Sequence, residues 1–382
     1  MKILIVTNYL PPKIGGIERI SHELATALNQ IPGVEVDVAT AEWPARYVET
    51  SWEEMARSYK VFYIPSVTIF RRLPIPNLFK IEFWRRLSGF KENYDITFFQ
   101  SHLFILNWFL ALKLRRVQRR IWMNQGCNYV PLNSHIASCV SFLYERIGML
   151  IMKRFCNEFL GQSVNTAQWI SKRVGIPFKV LPNATDLNSF QTPPNLIDAQ
   201  LKTKVLFVGR LVEGKGILEC VQAVSEANDN LINSGDTQLF TMTIVGSGPL
   251  INRIEGVARN IETRICGELS HAEVIKRMYE SDILIQAYSE SEGLTTVTLE
   301  GLAAGMIIVA TPLGGDTELS NCPNYFPGEI REIPDLLLSA RKVRKNRHSL
   351  LSSGREFILS GHTWKSIAER LIRMEYSDID QL

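Results

Sequence analysis

The strongest constraint on this chain is a rhythm that runs twice. Short, β-branched apolar runs recur at Ile3–Thr7, Val34–Thr40, Val61–Pro65, Asp95–Gln100 and Arg120–Asn124. Longer stretches separate them, and Glu18–Asn29 spaces its apolar residues as an amphipathic helix does. Strands that are apolar on both faces need cover on both faces, which crossover helices supply; the pattern therefore predicts a parallel sheet. A polar, Pro-containing stretch, QTPPNLIDAQLK, then breaks the pattern and reads as a linker. Beyond it the rhythm restarts at Lys204–Gly209, Phe240–Val245, Thr263–Cys266, Asp282–Ala287 and Met306–Thr311, each run followed by a helical stretch. The expectation is an α/β protein of two Rossmann-like halves divided at about residues 188–202. The expected domains are 1–187 and 203–362, with a final amphipathic helix in 363–382, near Trp364–Tyr376.

Composition agrees with that division. A chain of 382 residues suits two domains at about 100–200 residues each. With 46% apolar and 21% charged residues, wholesale disorder is excluded. The net charge of +3 argues against a dedicated nucleic-acid binder. That sum hides an asymmetry. Residues 1–185 hold 23 Lys and Arg against 13 Asp and Glu, whereas residues 186–382 hold 19 against 26. The basic excess gathers at Arg71, Arg72, Lys80, Arg85, Arg86 and Arg115–Arg120, interleaved with Phe70, Phe79, Phe83, Trp84, Trp108 and Phe109. Such a surface suits anionic lipid headgroups; a solvated face around core aromatics is the plainer reading. The six cysteines form no C-x-x-C pair, which suits a reducing cytosol. The N-terminus has too short an apolar run for a signal peptide, and Leu103–Leu114 is about half of the ~20 apolar residues a span needs. A cytoplasmic protein is expected, peripheral on the inner membrane face if it meets a membrane.

Three Gly-rich junctions follow strands and carry the chemistry. In PPKIGGIE, residues 11–18, Gly15 and Gly16 let backbone approach a ligand at a helix start. In GRLVEGKG, residues 209–216, Gly209 hands the chain to Arg210, and Lys215 sits between glycines. A guanidinium fork and an ammonium beside flexible backbone suit a diphosphate. In SESEGLTTVTLEGLAAG, residues 289–305, Glu292 and Glu300 stand eight apart. A helix from near Thr295 would set both carboxylates along one side, where carboxylates accept hydrogen bonds from a sugar diol. The amides of Gly293, Leu294 and Thr295 would lie at its positive end. No H-E-x-x-H pattern occurs and no Asp-x-Asp follows a predicted strand, the one such triplet, Asp378-Ile379-Asp380, lying at the polar C-terminal end, so no metal is expected. The six histidines read as structural, with lining of a base pocket a second reading for His271.

The order of these pieces, with VGSGPL at 245–250, CGEL at 266–269 and the turn at 315–318, resembles the family 4 retaining glycosyltransferases. That is the glycogen-synthase-like group 1 family with the GT-B fold. The resemblance runs from about residue 3 to 376, and KVLPNATDLNSF resembles the family's hinge. It implies two Rossmann-like domains facing across a cleft, with the last helix crossing back onto the first domain. It implies that Arg210 and Lys215 hold the donor diphosphate, that Glu300 binds ribose hydroxyls, and that Glu292 contacts the hexose. It further implies that Gly15 and Gly16 approach the phosphate and sugar, and that Leu269 meets the nucleobase through its backbone. Gln125 stands where the family commonly has a sugar-positioning His, and Gly301 where Ala is usual. The function implied is transfer of a hexose from a UDP- or GDP-sugar to a glycan or lipid-linked acceptor, in surface polysaccharide, lipopolysaccharide or glycolipid synthesis. No cofactor is implied beyond the nucleotide-sugar co-substrate.

Two other readings are open at the level of sequence. One is an NAD-dependent sugar-nucleotide epimerase or oxidoreductase, against which Ile251 breaks the G-x-G-x-x-G fingerprint begun at Gly246. The other is a non-catalytic sugar-nucleotide-binding protein, which Gln125 makes reasonable.

Overall fold

The computed structural model describes residues 1–11, 16–42, 58–69, 73–91, 93–126, 135–190, 202–287, 293–312 and 319–375. The chain forms two compact units: Met1–Pro182 with Trp364–Gln381, and Asn183–Thr363.

In the first unit the order is β1 (Lys2–Val6), α1 (Gly16–Asn29), β2 (Glu35–Ala41), β3 (Lys60–Ile64), β4 (Ser66–Ile69), β5 (Leu73–Pro76) and α2 (Ile81–Gly89). Then come β6 (Ile96–Gln100), α3 (Ile105–Lys113), β7 (Arg119–Asn124), α4 (His135–Phe155), β8 (Glu158–Gly161), α5 (Val164–Val174) and β9 (Lys179–Val180). Seven strands make one parallel sheet in the order β3-β2-β1-β6-β7-β8-β9. β4 and β5 pair separately as an antiparallel hairpin. Pro74 and Pro76 cost such a two-stranded ribbon little, though they argue against a strand when read in sequence. β1 and β6 are buried along most of their length, as strands covered on both faces must be. α5 shows local control of its ends: the Ser163 side chain accepts from the Thr166 N–H at 3.2 Å, and Gly175 closes the helix in the left-handed region.

The C-terminal helix, Trp364–Arg373, belongs to the first unit and buries Trp364, Ile367, Ala368 and Leu371. Arg119, at the start of β7, forks onto Glu158 of β8 at 2.7 and 2.9 Å. The same guanidinium donates to the carbonyls of Leu371 and Ile372 at 3.0 and 3.2 Å, tying down that helix's last turn. Arg119 is therefore a buried anchor and no part of a basic surface. Phe83 is likewise fully buried.

The second unit runs β10 (Thr203–Val208), α6 (Ile217–Asn233), β11 (Phe240–Val245), α7 (Ile251–Val257), β12 (Glu262–Ile265) and α8 (His271–Tyr279). It continues with β13 (Ile283–Gln286), α9 (Thr296–Ala303), β14 (Ile307–Ala310), β15 (Tyr325–Pro327), α10 (Ile333–Val343) and α11 (Arg347–Leu359). Its sheet is parallel in the order β12-β11-β10-β13-β14-β15. Alternate strand residues enter opposite cores, as the two-residue period requires. Val205, Phe207, Ile283, Ile285, Ile307 and Val309 pack with α6 and α10; Leu206, Leu284, Ile308 and Ala310 pack with α8, α9 and α11. Both sheets are thus doubly wound, with one reversal of strand order each. Among the described residues no helix is long and apolar enough to cross a membrane; Leu103–Leu114 contains α3, which buries Leu106, Asn107, Leu110 and Ala111.

Candidate functional site

In a doubly wound sheet the strand order reverses at one place, and the loops leaving the carboxyl ends there open a crevice. In the second unit that place lies between β10 and β13. The loop after β10 is GRLVEGKG, which carries Arg210 and Lys215. Arg210 is exposed and Lys215 half-buried. Gly216 ends this loop at φ +67°, and a Cβ there would stand 1.7 Å from the Ala287 carbonyl oxygen after β13. Only glycine lets the two loops touch in this way. Gly246 does the same for the neighbouring pair: at φ +136° its Cβ would stand 1.8 Å from the Gly209 oxygen. Backbone bonds stitch the loop ends together, Gly209 N to Val245 O at 3.0 Å, Leu211 N to Ser247 O at 2.9 Å and Gly246 N to Gly267 O at 2.8 Å.

The third junction starts α9. Thr295 is its N-cap, with Oγ1 accepting from the Thr298 N–H at 3.2 Å. Thr298 in turn donates to the buried Oε1 of Gln286, at the end of β13, at 2.6 Å. The helix starts where the sequence places it; the shared face expected for Glu292 and Glu300 does not follow, because Glu292 precedes the cap. α9 begins at Thr296, so helical periodicity does not relate Glu300 to Glu292. Glu292 itself lies outside the described residues, as do Gly15 and the turn at 315–318. Gly293 and Leu294 are buried, and the Leu294 carbonyl accepts from Asn183 Nδ2 at 2.9 Å.

Glu300 is the most confined acid of this site, its side chain 5% exposed. A buried carboxylate requires partners, and His271 supplies one: Nε2 lies 3.1 Å from Glu300 Oε1. His271 opens α8, whose start is fixed by a capping box between Ser270 and Glu273. Leu269, half-buried, packs beside the same core as Leu294. The loops after β10, β12 and β13 thus bring a cationic loop, a capped helix and a part-buried His–Glu pair to one edge of one sheet. His271 was the residue that sequence reading took as structural. Its pairing with Glu300 spans 29 positions and has no local signal.

In the first unit the reversal lies between β1 and β6. Gly16 is the exposed first residue of α1. Gln125, half-buried after β7, donates from Nε2 to Gln100 Oε1 at 3.2 Å. Ser21 of α1 donates to the same oxygen at 2.8 Å. Gln100 therefore joins the carboxyl ends of β6 and β7 to α1, and sequence reading missed it. Ser101, next in the chain, holds φ 69°, a left-handed backbone rare outside glycine. Burial, with the Glu18 carboxylate nearby, pushes the Tyr9 hydroxyl up to about 12, so it stays protonated.

Comparison with known proteins agrees with these halves. The family model described as Glycosyltransferase Family 4 matches residues 14–189, and the one described as Glycosyl transferases group 1 matches residues 202–324. An uncharacterized glycosyltransferase of Methanocaldococcus jannaschii is 25% identical across 97% of this chain and 99% of its own length. The gpi3 subunit of phosphatidylinositol N-acetylglucosaminyltransferase of Schizosaccharomyces pombe is 22% identical, covering 96% of this chain and 78% of its own. Among solved structures, Anabaena HepE in complex with UDP and glucose superposes with a TM-score of 0.70 at 16% identity, over 98% of this chain and 99% of that one. The paired doubly wound domains are those of the GT-B fold. With one family model on each half and both in the expected order, the chain belongs to the group 1, family 4-like glycosyltransferases.

Proposed function

We propose that this glycosyltransferase moves a hexose from a nucleotide diphosphate sugar to a hydroxyl of a glycan or lipid-linked acceptor, with retained anomeric configuration. The observation that carries the donor reading is the contact of the loop after β10 with the end of β13, fixed by Gly216 against Ala287. The Arg210 and Lys215 loop and the helix that bears Glu300, whose Thr298 donates to Gln286, are thus both anchored at the end of that strand. Breaking a glycosidic bond to phosphate separates charge, and the leaving diphosphate is stabilised by groups already in place. In this reading Arg210 and Lys215 meet the diphosphate, with the amides of Gly293, Leu294 and Thr295 and the backbone at Gly209. Glu300 accepts from the ribose diol, Leu269 meets the base through its backbone, and Glu292 orients the hexose. Gly15, Gly16 and Gln125 face the transferred sugar.

A neighbour that carries UDP and glucose supports a UDP-sugar, and a relative named for N-acetylglucosaminyl transfer to phosphatidylinositol supports a lipid-linked acceptor. Retention rests on the family resemblance, and metal independence on the lack of a metal-ligand motif after any strand. The setting we propose is surface polysaccharide, lipopolysaccharide or glycolipid synthesis at the inner face of a membrane. The test is thermal-shift screening with UDP-, GDP- and ADP-sugars, followed by NMR of the product anomer. A donor that binds the folded state raises its stability. Stabilisation by one sugar nucleotide and an unchanged anomeric configuration are expected; an inverted product rejects retention. Donor binding without turnover on a broad panel of glycan and lipid acceptors would favour a non-catalytic binder, and NAD binding in place of UDP or GDP an oxidoreductase.

A further inference from the structure

A cavity of about 490 Å³ lies in the first unit, lined by Leu112, Arg115, Arg116, Arg120, Arg154 and Phe155. No acidic side chain lines it. Arg115 and Arg116 follow α3, Arg120 lies at the start of β7, and Arg154 ends α4, so the cavity sits at the amino ends of the strands. Sites in doubly wound sheets open at the carboxyl ends, so this is not the crevice described above. Arg120 is held there by its Nε, which donates to the Phe155 carbonyl at 2.6 Å. It faces the carbonyl end of α4, and every charged side chain of the lining is a cation, a setting suited to a phosphate ester.

The cavity also ends an apolar track. Along α4 the exposed residues Val140 (63%), Leu143 (60%), Ile147 (41%) and Leu150 (66%) recur at three and four positions, and Arg154 is next in that line. Such spacing draws one stripe down a helix, and from Val140 to Arg154 it runs about 21 Å. Folded chains rarely leave a row of aliphatic side chains in water. Arg146 lies over the Phe142 ring beside the stripe at 5.1 Å. Two further helices share this flank. Trp108 of α3 packs on Tyr144 of α4 at 5.1 Å, and Trp84 of α2 on Phe109 of α3 at 6.3 Å. Just ahead of and at the start of α2, Phe79 is fully exposed and Ile81 is 85% exposed.

We infer that the α2–α3–α4 flank docks on an anionic phospholipid bilayer, its aliphatic row entering the acyl boundary and the four-arginine cavity taking a lipid headgroup phosphate. Charge complementarity selects this occupant. The surplus of ten positive charges in residues 1–185 opposes a second copy of the same face. Val, Leu and Ile do not stack on bases as a single-stranded nucleic-acid groove would require, but they do fit an interfacial helix. The inference deepens the membrane part of the proposed function and stands apart from the donor reading.

The test is flotation of the full chain with phosphatidylcholine vesicles, with and without phosphatidylglycerol, at low and high salt. Binding to the anionic vesicles alone, weakened by salt, is expected. Arg115→Glu with Arg154→Glu should weaken it on the order of tenfold or more, each cation near such a surface counting for about fivefold. Leu143→Ser with Leu150→Ser should release the chain at lower salt. Both pairs are at exposed positions, and unchanged thermal unfolding shows that they fold. No flotation at low salt overturns the inference, and if transfer to a soluble acceptor persists, the transferase reading survives. Flotation that ignores the arginine pair overturns the phosphate cavity. A concentration-dependent dimer abolished by the leucine pair assigns the stripe to a second copy and overturns the bilayer. Competition by inorganic phosphate at low concentration, without vesicle binding, assigns the cavity to a soluble anion and overturns it equally.

Discussion

At the scale of single residues, the second unit pairs a cationic glycine-rich loop with a confined carboxylate. Lys215 shares its short glycine-rich loop with exposed Arg210, whereas Glu300 is held against His271 at 3.1 Å. Lys215→Ala should lower kcat/KM for the donor by about a hundredfold or more, the scale of removing one donor to a developing anion. Initial rates of transfer check this, and near-wild-type rates would take Lys215 out of the diphosphate site. His271→Ala leaves a buried carboxylate short of a donor, at a cost of about 1–3 kcal/mol. If Glu300 meets the ribose, the donor KM rises roughly tenfold while kcat stays nearly constant, and His271→Gln, which keeps an N–H, recovers part of the loss. A KM unmoved by His271→Ala but raised by Glu300→Gln would leave Glu300 in the site without its histidine. The residue types at these positions were legible in sequence; the pairing was not, because nothing local to either residue records the other.

At the scale of elements, close backbone approach shapes both units. Gly216→Ala would add a Cβ to a left-handed residue and press it into the Ala287 carbonyl. The backbone strain alone is about 1–2 kcal/mol, and the clash adds to it. A lower unfolding midpoint in urea is expected, together with weaker donor stabilisation, since the two loops of the crevice must part. An unchanged midpoint would mean that the loops are not in contact. Arg119→Ala strands Glu158 and frees the last carbonyls of the C-terminal helix, at roughly 3 kcal/mol. Hydrogen exchange should then quicken first in Trp364–Arg373; uniform protection would show that the helix holds without it. Sequence periodicity located nearly all strands of both sheets within one or two residues. It missed β8, β9 and β15, of which β9 and β15, at two and three residues, are too short to show a period. It placed the start of α9 within a residue, although that Thr295 is the cap shows only in its side chain on the Thr298 amide.

At the scale of the whole molecule, we propose that the reaction needs no ion to gather the diphosphate. Transfer should survive EDTA at an unchanged rate, and loss of transfer restored by Mg²⁺ or Mn²⁺ would reject that expectation. The charge asymmetry also belongs to this scale. The basic excess predicted from the first 185 residues is divided in the structure between buried anchors such as Arg119 and an exposed flank that ends in Arg115, Arg116 and Arg154. Counting charges located the half but not the face. By itself the sequence determined that there are two doubly wound parallel sheets, which loops carry glycine and charge, and to which family the order of those loops corresponds. These follow from local periodicity and from residue types that only certain backbones tolerate. Only the tertiary structure decided that Glu300 meets His271, that Gln100 gathers Ser21 and Gln125, and that Arg119 serves the core. Each of those contacts joins residues far apart in the chain, and strand order and register, not local pattern, bring them within reach.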